Sequence, residues 1–296
     1  MNFNYIKNFC FDKIINIIVI LSFILFIIFI VIIANLSTTF QGIDLSSCDD
    51  ASTMEKVIGT IMVSTKTLST KKIEFGIKRS DNHEQPDIGA ENKRIIEEFN
   101  GIAIGNKDSK NIYLTFDVGY EGGYTEKILD ILKQNNVKAA FFITGQYVKT
   151  SQDVIKRMID EGHIVGNHTV NHPSLPLCND EKIESEILTM HKQIYEKFNY
   201  EMKYMRPPKG EFSEKSLACI EKLGYKTVMW SFAYDDWDNN KQGREEYAKK
   251  KILENLHNGE IMLLHATSRD NANILDYILK ETKNQGYNFK SLDEFE

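Results

Sequence analysis

A chain of 296 residues with 42% hydrophobic content is long enough for one large domain or two small ones, and can bury a proper core. The formal charge of −6 is offset by no basic block, since Lys71, Lys72, Lys78 and Arg79 read as ordinary solvated charges, and this argues against nucleic acid as a partner. Cysteines at positions 10, 48, 178 and 219 follow no CxxC or zinc-finger spacing, so Cys178 and Cys219 read as isolated thiols unless the fold brings them together.

From Ile14 to Ala34 the chain reads IINIIVILSFILFIIFIVIIA, uncharged and interrupted only by Asn16 and Ser22, long enough to cross a hydrocarbon core of about 30 Å. A cleaved secretory signal would have a shorter apolar stretch ending in a small-x-small site, which Ile32 and Ala34 match poorly. The expectation is a transmembrane helix over 14–34. Lys7 and Lys13 flank its amino-terminal side while Asp44, Asp49 and Asp50 follow it, which predicts a cytoplasmic tail over 1–13 and an extracytoplasmic body. Residues 35–94 are rich in Ser, Thr, Lys and Asp without sustained periodicity, apart from short groups such as VIGTIMV, and predict an extracytoplasmic linker.

Beyond this linker, in a domain placed at 95–296, short β-rich runs alternate from Asn111 onward with amphipathic stretches, the pattern of βα units and a parallel sheet. The predicted strands are NIYLTFD ending at Asp117, AAFFIT at Thr144, HIVGNH at His168, KYMR at Arg206, TVMWSFA at Ala233, IMLLH at His265, and a last run YNFKSL. Ser213 caps a helix with Leu217, Ile220 and Leu223 on one face and Gly224 as its stop. Ile183, Ile187, Met190, Ile194 and Phe198 form a helical stripe whose ordinary role is core packing. An open doubly wound sheet and a barrel both fit, but EGGYT after Gly119 lacks the GxGxxG spacing, which favours an irregular α/β barrel of about seven parallel strands.

Asp117, His168, Arg206, Asp236 and His265 all fall at or just after the carboxyl ends of separately assigned strands, the rim on which α/β barrels build their sites. His168 and His172, in HTVNH, can meet one cation, and Pro173 predicts a loop rather than a helix there. Each residue has a bland alternative: a core histidine for His265, a surface salt bridge for Arg206, an acidic surface loop for Asp236 and Trp237. All of them would have to hold at one rim.

The motifs TFDVG, HTVNH, RPPKG, DDW and LLH resemble, in order and spacing, those of the polysaccharide deacetylases, carbohydrate esterase family four. Within that family FDVGYEGGYT, EGHIVGNHTVNHP, RPPKGEFSE, DNA and GYNFKSLDEF look closest to the delta-lactam-biosynthetic de-N-acetylases, which act on muramic acid of the spore cortex. The resemblance implies a hydrolase of N-acetylmuramic acid in peptidoglycan. It implies that His168 and His172 hold a divalent metal such as zinc, Asp117 is the general base, His265 the general acid, Arg206 orients Asp117 and Asp236 tunes His265. It also implies that backbone N–H groups near Lys209 hold the tetrahedral oxyanion. An N-acetylglucosamine deacetylase and a membrane-tethered glycan-binding pseudoenzyme are the alternatives.

The family's usual TFDDG is here TFDVG, so a third metal ligand is replaced by Val118. Catalytic zinc normally has three protein ligands, so metal should be weakly held. Either Asp117 doubles as a ligand, or metal is recruited with substrate, or the site binds sugar without turnover. Lys209, and Trp237 beside the acidic pair, are expected to contact substrate; for Lys209 the choice lies between the lactyl carboxylate of muramic acid and a solvated turn position.

Overall fold

The computed structural model describes residues 67–296 and runs β1 (Ile73–Glu74), α1 (Ala90–Glu98), β2 (Asn111–Val118), α2 (Thr125–Gln134), β3 (Ala140–Ile143) and α3 (Gly145–Thr150). It continues with α4 (Gln152–Asp160), β4 (Ile164–Asn167), α5 (Asp180–Phe198), β5 (Tyr204–Met205), β6 (Glu211–Phe212) and α6 (Glu214–Lys222). The last elements are β7 (Lys226–Thr227), α7 (Glu245–Glu254), β8 (Glu260–His265), α8 (Arg269–Asn284) and β9 (Asn288–Phe289).

The parallel sheet follows the order β7-β5-β4-β3-β2-β8, with β9 paired to the start of β2. Its two ends meet at one bridge, Phe232 to Met262 of β8, where Phe232 O accepts from Leu263 N–H at 2.8 Å. The fold is thus a parallel half-barrel with a thin seam. Of the run TVMWSFA only Thr227 falls in a regular strand, at the end of β7, because Val228 bridges Ile102 and Phe232 bridges β8.

The period of two along β2 decides the layering. Ile112, Leu114, Phe116 and Val118 join the large apolar cluster between sheet and helices, while Tyr113 joins the smaller cluster inside the barrel. Thr115 and Asp117 continue that inner face towards the carboxyl rim. On β8, Met262 and Leu264 face outward and Ile261 inward, so His265 follows Ile261 on the inner register. The helical stripe on α5 is core as expected: Ile183, Ile187, Met190 and Ile194 are buried. Ser213 caps α6 by accepting from Ser216 N–H at 3.1 Å.

The linker expected over 35–94 needs correction at its end, because Leu68–Glu296 is one unit. Residues 68–89 form a strap on the barrel: β1 pairs antiparallel with β6, Phe75 N–H donates to Gly210 O at 2.9 Å, and buried Phe75 meets Trp230 edge-on at 5.2 Å. Arg79 Nη2 donates to Ala233 O at 2.7 Å and Gln85 Nε2 to Gly105 O at 2.9 Å. The apolar run 14–34 and residues 35–66 lie outside the described residues; among those described, no helix is long and apolar enough to cross a membrane. Cys178 and Cys219 are free thiols, as expected from their spacing.

Candidate active site

Asp117 and His265 are direct partners in the parallel register of β2 and β8, so the two strand ends deliver a carboxylate and an imidazole side by side. Both line a cavity of about 550 Å³ at the carboxyl rim, together with His168, His172, Lys209 and Trp237. The rim expectation therefore brings six of the eight predicted residues to one cavity, and the other two, Arg206 and Asp236, stand directly behind it.

Arg206 is not a surface salt bridge. It is fully buried, and four of its five N–H donors are engaged: Nη1 donates to Asp117 Oδ1 at 2.8 Å, Nη2 to Thr115 Oγ1 and to Met229 O at 3.0 Å, and Nε to Val228 O at 3.0 Å. Its face lies over the Phe142 ring at 4.3 Å. Burial alone would raise the Asp117 pKa, but the Arg206 charge, helped by His265, holds it below the ordinary carboxylate range. Asp117 is a largely buried carboxylate whose ionised form is favoured.

The opposite end of Arg206 serves the imidazole pair. Its backbone carbonyl accepts from His168 Nδ1–H at 2.7 Å, which fixes the tautomer and leaves His168 Nε2 as a bare acceptor. His172 Nε2 lies 3.2 Å from that atom and Asp117 Oδ2 lies 3.6 Å from it. The two histidines sit in a loop, as Pro173 predicted, and the loop is strained: Thr169 has φ 67° and His172 φ 56°. Glu186, buried on α5, holds it by accepting from Asn171 N–H and Asn171 Nδ2, each at 2.8 Å. Burial lowers the pKa of His168, and burial with the neighbouring His168 pushes His172 down to about 4. Both rings are neutral over the physiological range, the form that ligates a metal.

These donors fit a divalent ion: two nitrogens converge with Asp117 Oδ2 beside them. Among the described residues no group of three or more His, Cys, Asp and Glu side chains is disposed to hold a metal. Val118 explains the shortfall, since its side chain is wholly buried in the outer core, on the opposite face of β2 from Asp117.

Asp236 is buried rather than part of a surface loop. Its Oδ1 pairs with His265 Nδ1 at 2.8 Å, and its Oδ2 accepts from His265 N–H at 2.7 Å and Asn271 Nδ2 at 2.6 Å. Asn271 in turn accepts a hydrogen bond from the Tyr234 hydroxyl. Burial lowers the His265 pKa, but the Asp236 charge and hydrogen bond outweigh it and raise the pKa above the usual value. His265 is therefore not an idle core histidine: it is partly exposed, faces the cavity, and has a pKa raised by Asp236 in favour of the cation.

Lys209 and Gly210 both turn left-handed, at φ 61° and 67°. Only glycine suits position 210, since a Cβ there would meet Trp230 at 2.5 Å. The turn leaves Lys209 exposed on the cavity wall, while Gly210 N–H is spent on Pro207 O at 3.2 Å. Trp237 is 61% exposed at the cavity, an aromatic face open to a ligand. Thr115, Glu186 and Asn271 were missed in the sequence; only Asn271 left a trace, inside the quoted DNA triplet.

The sequence model described as polysaccharide deacetylase matches residues 104–228. The chain is 44% identical to the peptidoglycan-N-acetylmuramic acid deacetylase PdaA of Bacillus subtilis over 230 residues, covering 77% of this chain and 88% of that protein. The solved structure of Bacillus subtilis PdaA, a family 4 carbohydrate esterase, superposes with a TM-score of 0.75 and covers 77% of this chain and 98% of that one. A family 4 pseudoenzyme from Bacillus anthracis, 27% identical, superposes at 0.62 over 66% of this chain and 68% of its own.

Proposed function

The chain belongs to the polysaccharide deacetylases, family 4 of the carbohydrate esterases, and from that premise we propose that it hydrolyses the acetamide of N-acetylmuramic residues in peptidoglycan. The observation that carries the chemistry is the opposed poise of two neighbours: Arg206 favours the ionised form of Asp117, and Asp236 favours the protonated form of His265. A base and an acid of unlike pKa, adjacent across one strand pair, are the two groups that amide hydrolysis requires.

A divalent ion such as zinc, held by His168 and His172 with Asp117 Oδ2 beside them, would polarise the acetyl carbonyl and acidify the attacking water. Asp117 takes a proton from that water as its oxygen bonds to the carbonyl carbon. Arg206 keeps the Asp117 carboxylate aimed and ionised until then. His265 delivers its Nε2 proton to the sugar nitrogen as the C–N bond breaks, and acetate and a free amine result. Asp236 steadies the His265 cation and holds its tautomer, so that Nδ1 is occupied and Nε2 is the atom presented to substrate. Trp237 and Lys209 supply binding surface at the cavity.

The finer reading places this activity outside the cell, tethered by residues 14–34, in formation of muramic δ-lactam of the spore cortex. The test is acetate release from stem-stripped peptidoglycan, first metal-free and then with zinc, cobalt or manganese. Sugar-specific product analysis separates muramic from glucosamine residues, and Asp117→Asn is the control. Buried Val118, in place of a ligand, favours one second reading: a glycan-binding pseudoenzyme, which would bind strands and release no acetate with any metal.

A further inference from the structure

The catalytic cavity does not end at Thr267. A second hollow of about 340 Å³ adjoins it, sharing Tyr120 and Thr267 as wall and adding Gly122, Tyr124, Gln242 and Arg269. Arg269 is the one charged residue in that lining. Its side chain is about half exposed, and the carboxylate paired with it, Asp270, stands 3.9 Å away. Asp270 is committed elsewhere, because its two oxygens accept from the N–H groups of Gly243 and Arg244, each at 2.7 Å. Gln242 is also engaged, donating to Asp236 O and Asp238 O at 3.3 Å. The hollow is thus a cleft with a tyrosine on two sides and a guanidinium whose charge is poorly matched within the protein.

The direction of the reaction says which part of a substrate lies there. An acetamide bound for hydrolysis turns its carbonyl to the His168–His172 pair and its nitrogen to His265, so the sugar, which is bonded to the nitrogen, lies on the His265 side. Muramic acid differs from glucosamine by a lactyl ether on the carbon next to that nitrogen-bearing carbon. Its carboxylate therefore also falls on the His265 side. Besides the His265 imidazole, two basic side chains line the joined cavities, Lys209 and Arg269. Lys209 stands by the imidazole pair, where its charge bears on His172 and on Glu211. Arg269 stands four residues beyond His265, at the first position of α8 and across Thr267 from the catalytic cavity. A planar guanidinium also matches a carboxylate with two parallel hydrogen bonds, which an ammonium cannot do.

We propose that the second hollow seats the lactyl carboxylate of the muramic residue being deacetylated, and that Arg269, rather than Lys209, is the group that distinguishes muramic acid from glucosamine. This rests on the muramic reading above. It assigns Arg269 to specificity, without a part in bond breaking.

The test uses the full-length chain in detergent and two forms of stem-stripped glycan strand: one with free lactyl carboxylates, one with those carboxylates coupled to methylamine. Arg269→Gln should raise KM on free strands about 10- to 100-fold, leave kcat within about threefold, and change nothing on the amidated strands. Arg269→Lys should recover part of the loss. Equal loss on both strands, no loss on either, or a carboxylate-dependent loss in Lys209→Gln instead would overturn the assignment. Should the wild type release acetate from glucosamine residues only, the muramic reading falls by itself. Calorimetric titration of free against amidated strands then still decides whether Arg269 reads the carboxylate.

Discussion

Asp236 grips His265 at two points, the ring through Nδ1 at 2.8 Å and the main chain through its N–H at 2.7 Å, so a single carboxylate sets both the charge and the position of the imidazole. Asp236→Asn keeps the shape and removes the charge. Since the Asp236 charge is what raises the His265 pKa against burial, the variant should lose activity as pH rises at a lower pH than the wild type. A fall in kcat of about 10²-fold near neutrality, recovered in part in more acidic buffer, is the expected profile. The sign for stability is the same: a raised histidine pKa contributes stability that is full below its unfolded value and is lost as pH rises through the folded one. An unmoved alkaline limb would detach Asp236 from the proton donor.

The acidic limb belongs to other groups. Asp117 is held below the usual carboxylate range and His172 is pushed down to about 4, so the proposed base and the proposed imidazole ligand both keep their working forms into mildly acidic solution. A rate profile for the wild type should stay level down to about pH 5, with the drop beginning below it. Asp117→Asn should lower kcat about 10²- to 10⁴-fold at every pH. Arg206→Met, by contrast, should cost about 3–5 kcal/mol of folding stability, because it strands a buried carboxylate without its partner. Denaturant unfolding separates the two effects.

Much of this was legible in the sequence, for a physical reason. Strands buried on both faces read as continuous apolar runs, and a polar residue ending such a run stands out, which is how Asp117, His168, Arg206 and His265 were found. Asp236 stood out differently, as one of a run of acids beside an aromatic. The residues that hold them are ordinary by type and context: Thr115 lies inside a strand, and Glu186 is one acid among several on α5. The strap over 68–89 was missed because it is fixed by isolated anchors such as Phe75 and by side-chain bonds to main-chain carbonyls, which leave no periodicity.

That strap gives a prediction about domain limits. Phe75 is buried against Trp230 and Phe212, and Trp230 lines the cavity of the proposed active site. Phe75→Ala should cost about 3–5 kcal/mol and raise KM more than it lowers kcat, since it loosens a wall rather than the acid or base. A chain beginning at residue 95 removes the whole strap, and should show a lower thermal midpoint than one beginning at residue 68 when both are melted side by side.

Glu186 holds, through Asn171, the loop that carries the proposed metal ligands His168 and His172. Glu186→Ala removes both acceptor oxygens, so both bonds to Asn171 are lost. The strained loop carrying His168 and His172 should then open. Zinc affinity measured by competition with a chelator should fall about 10- to 100-fold, as for other outer partners of metal ligands. Unchanged affinity would leave Glu186 as a clamp for the fold alone.

Val118 offers the sharpest contrast between fold and site. Its side chain is fully buried among apolar neighbours, so Val118→Asp restores a carboxylate at the price of placing it in the core. Without metal, the variant has an unpaired polar group in an apolar layer, or must turn that group towards the rim, and it should lose about 1–3 kcal/mol or more. With metal, the new carboxylate can complete a three-ligand set with His168 and His172, and binding to the folded state alone stabilises it by mass action. Thermal midpoints should therefore diverge in opposite directions: lower than wild type in chelator, and raised by zinc by a larger increment than in the wild type. A variant that is destabilised equally with and without zinc would mean that position 118 cannot reach the metal, and that the two imidazoles and Asp117 are all this fold provides.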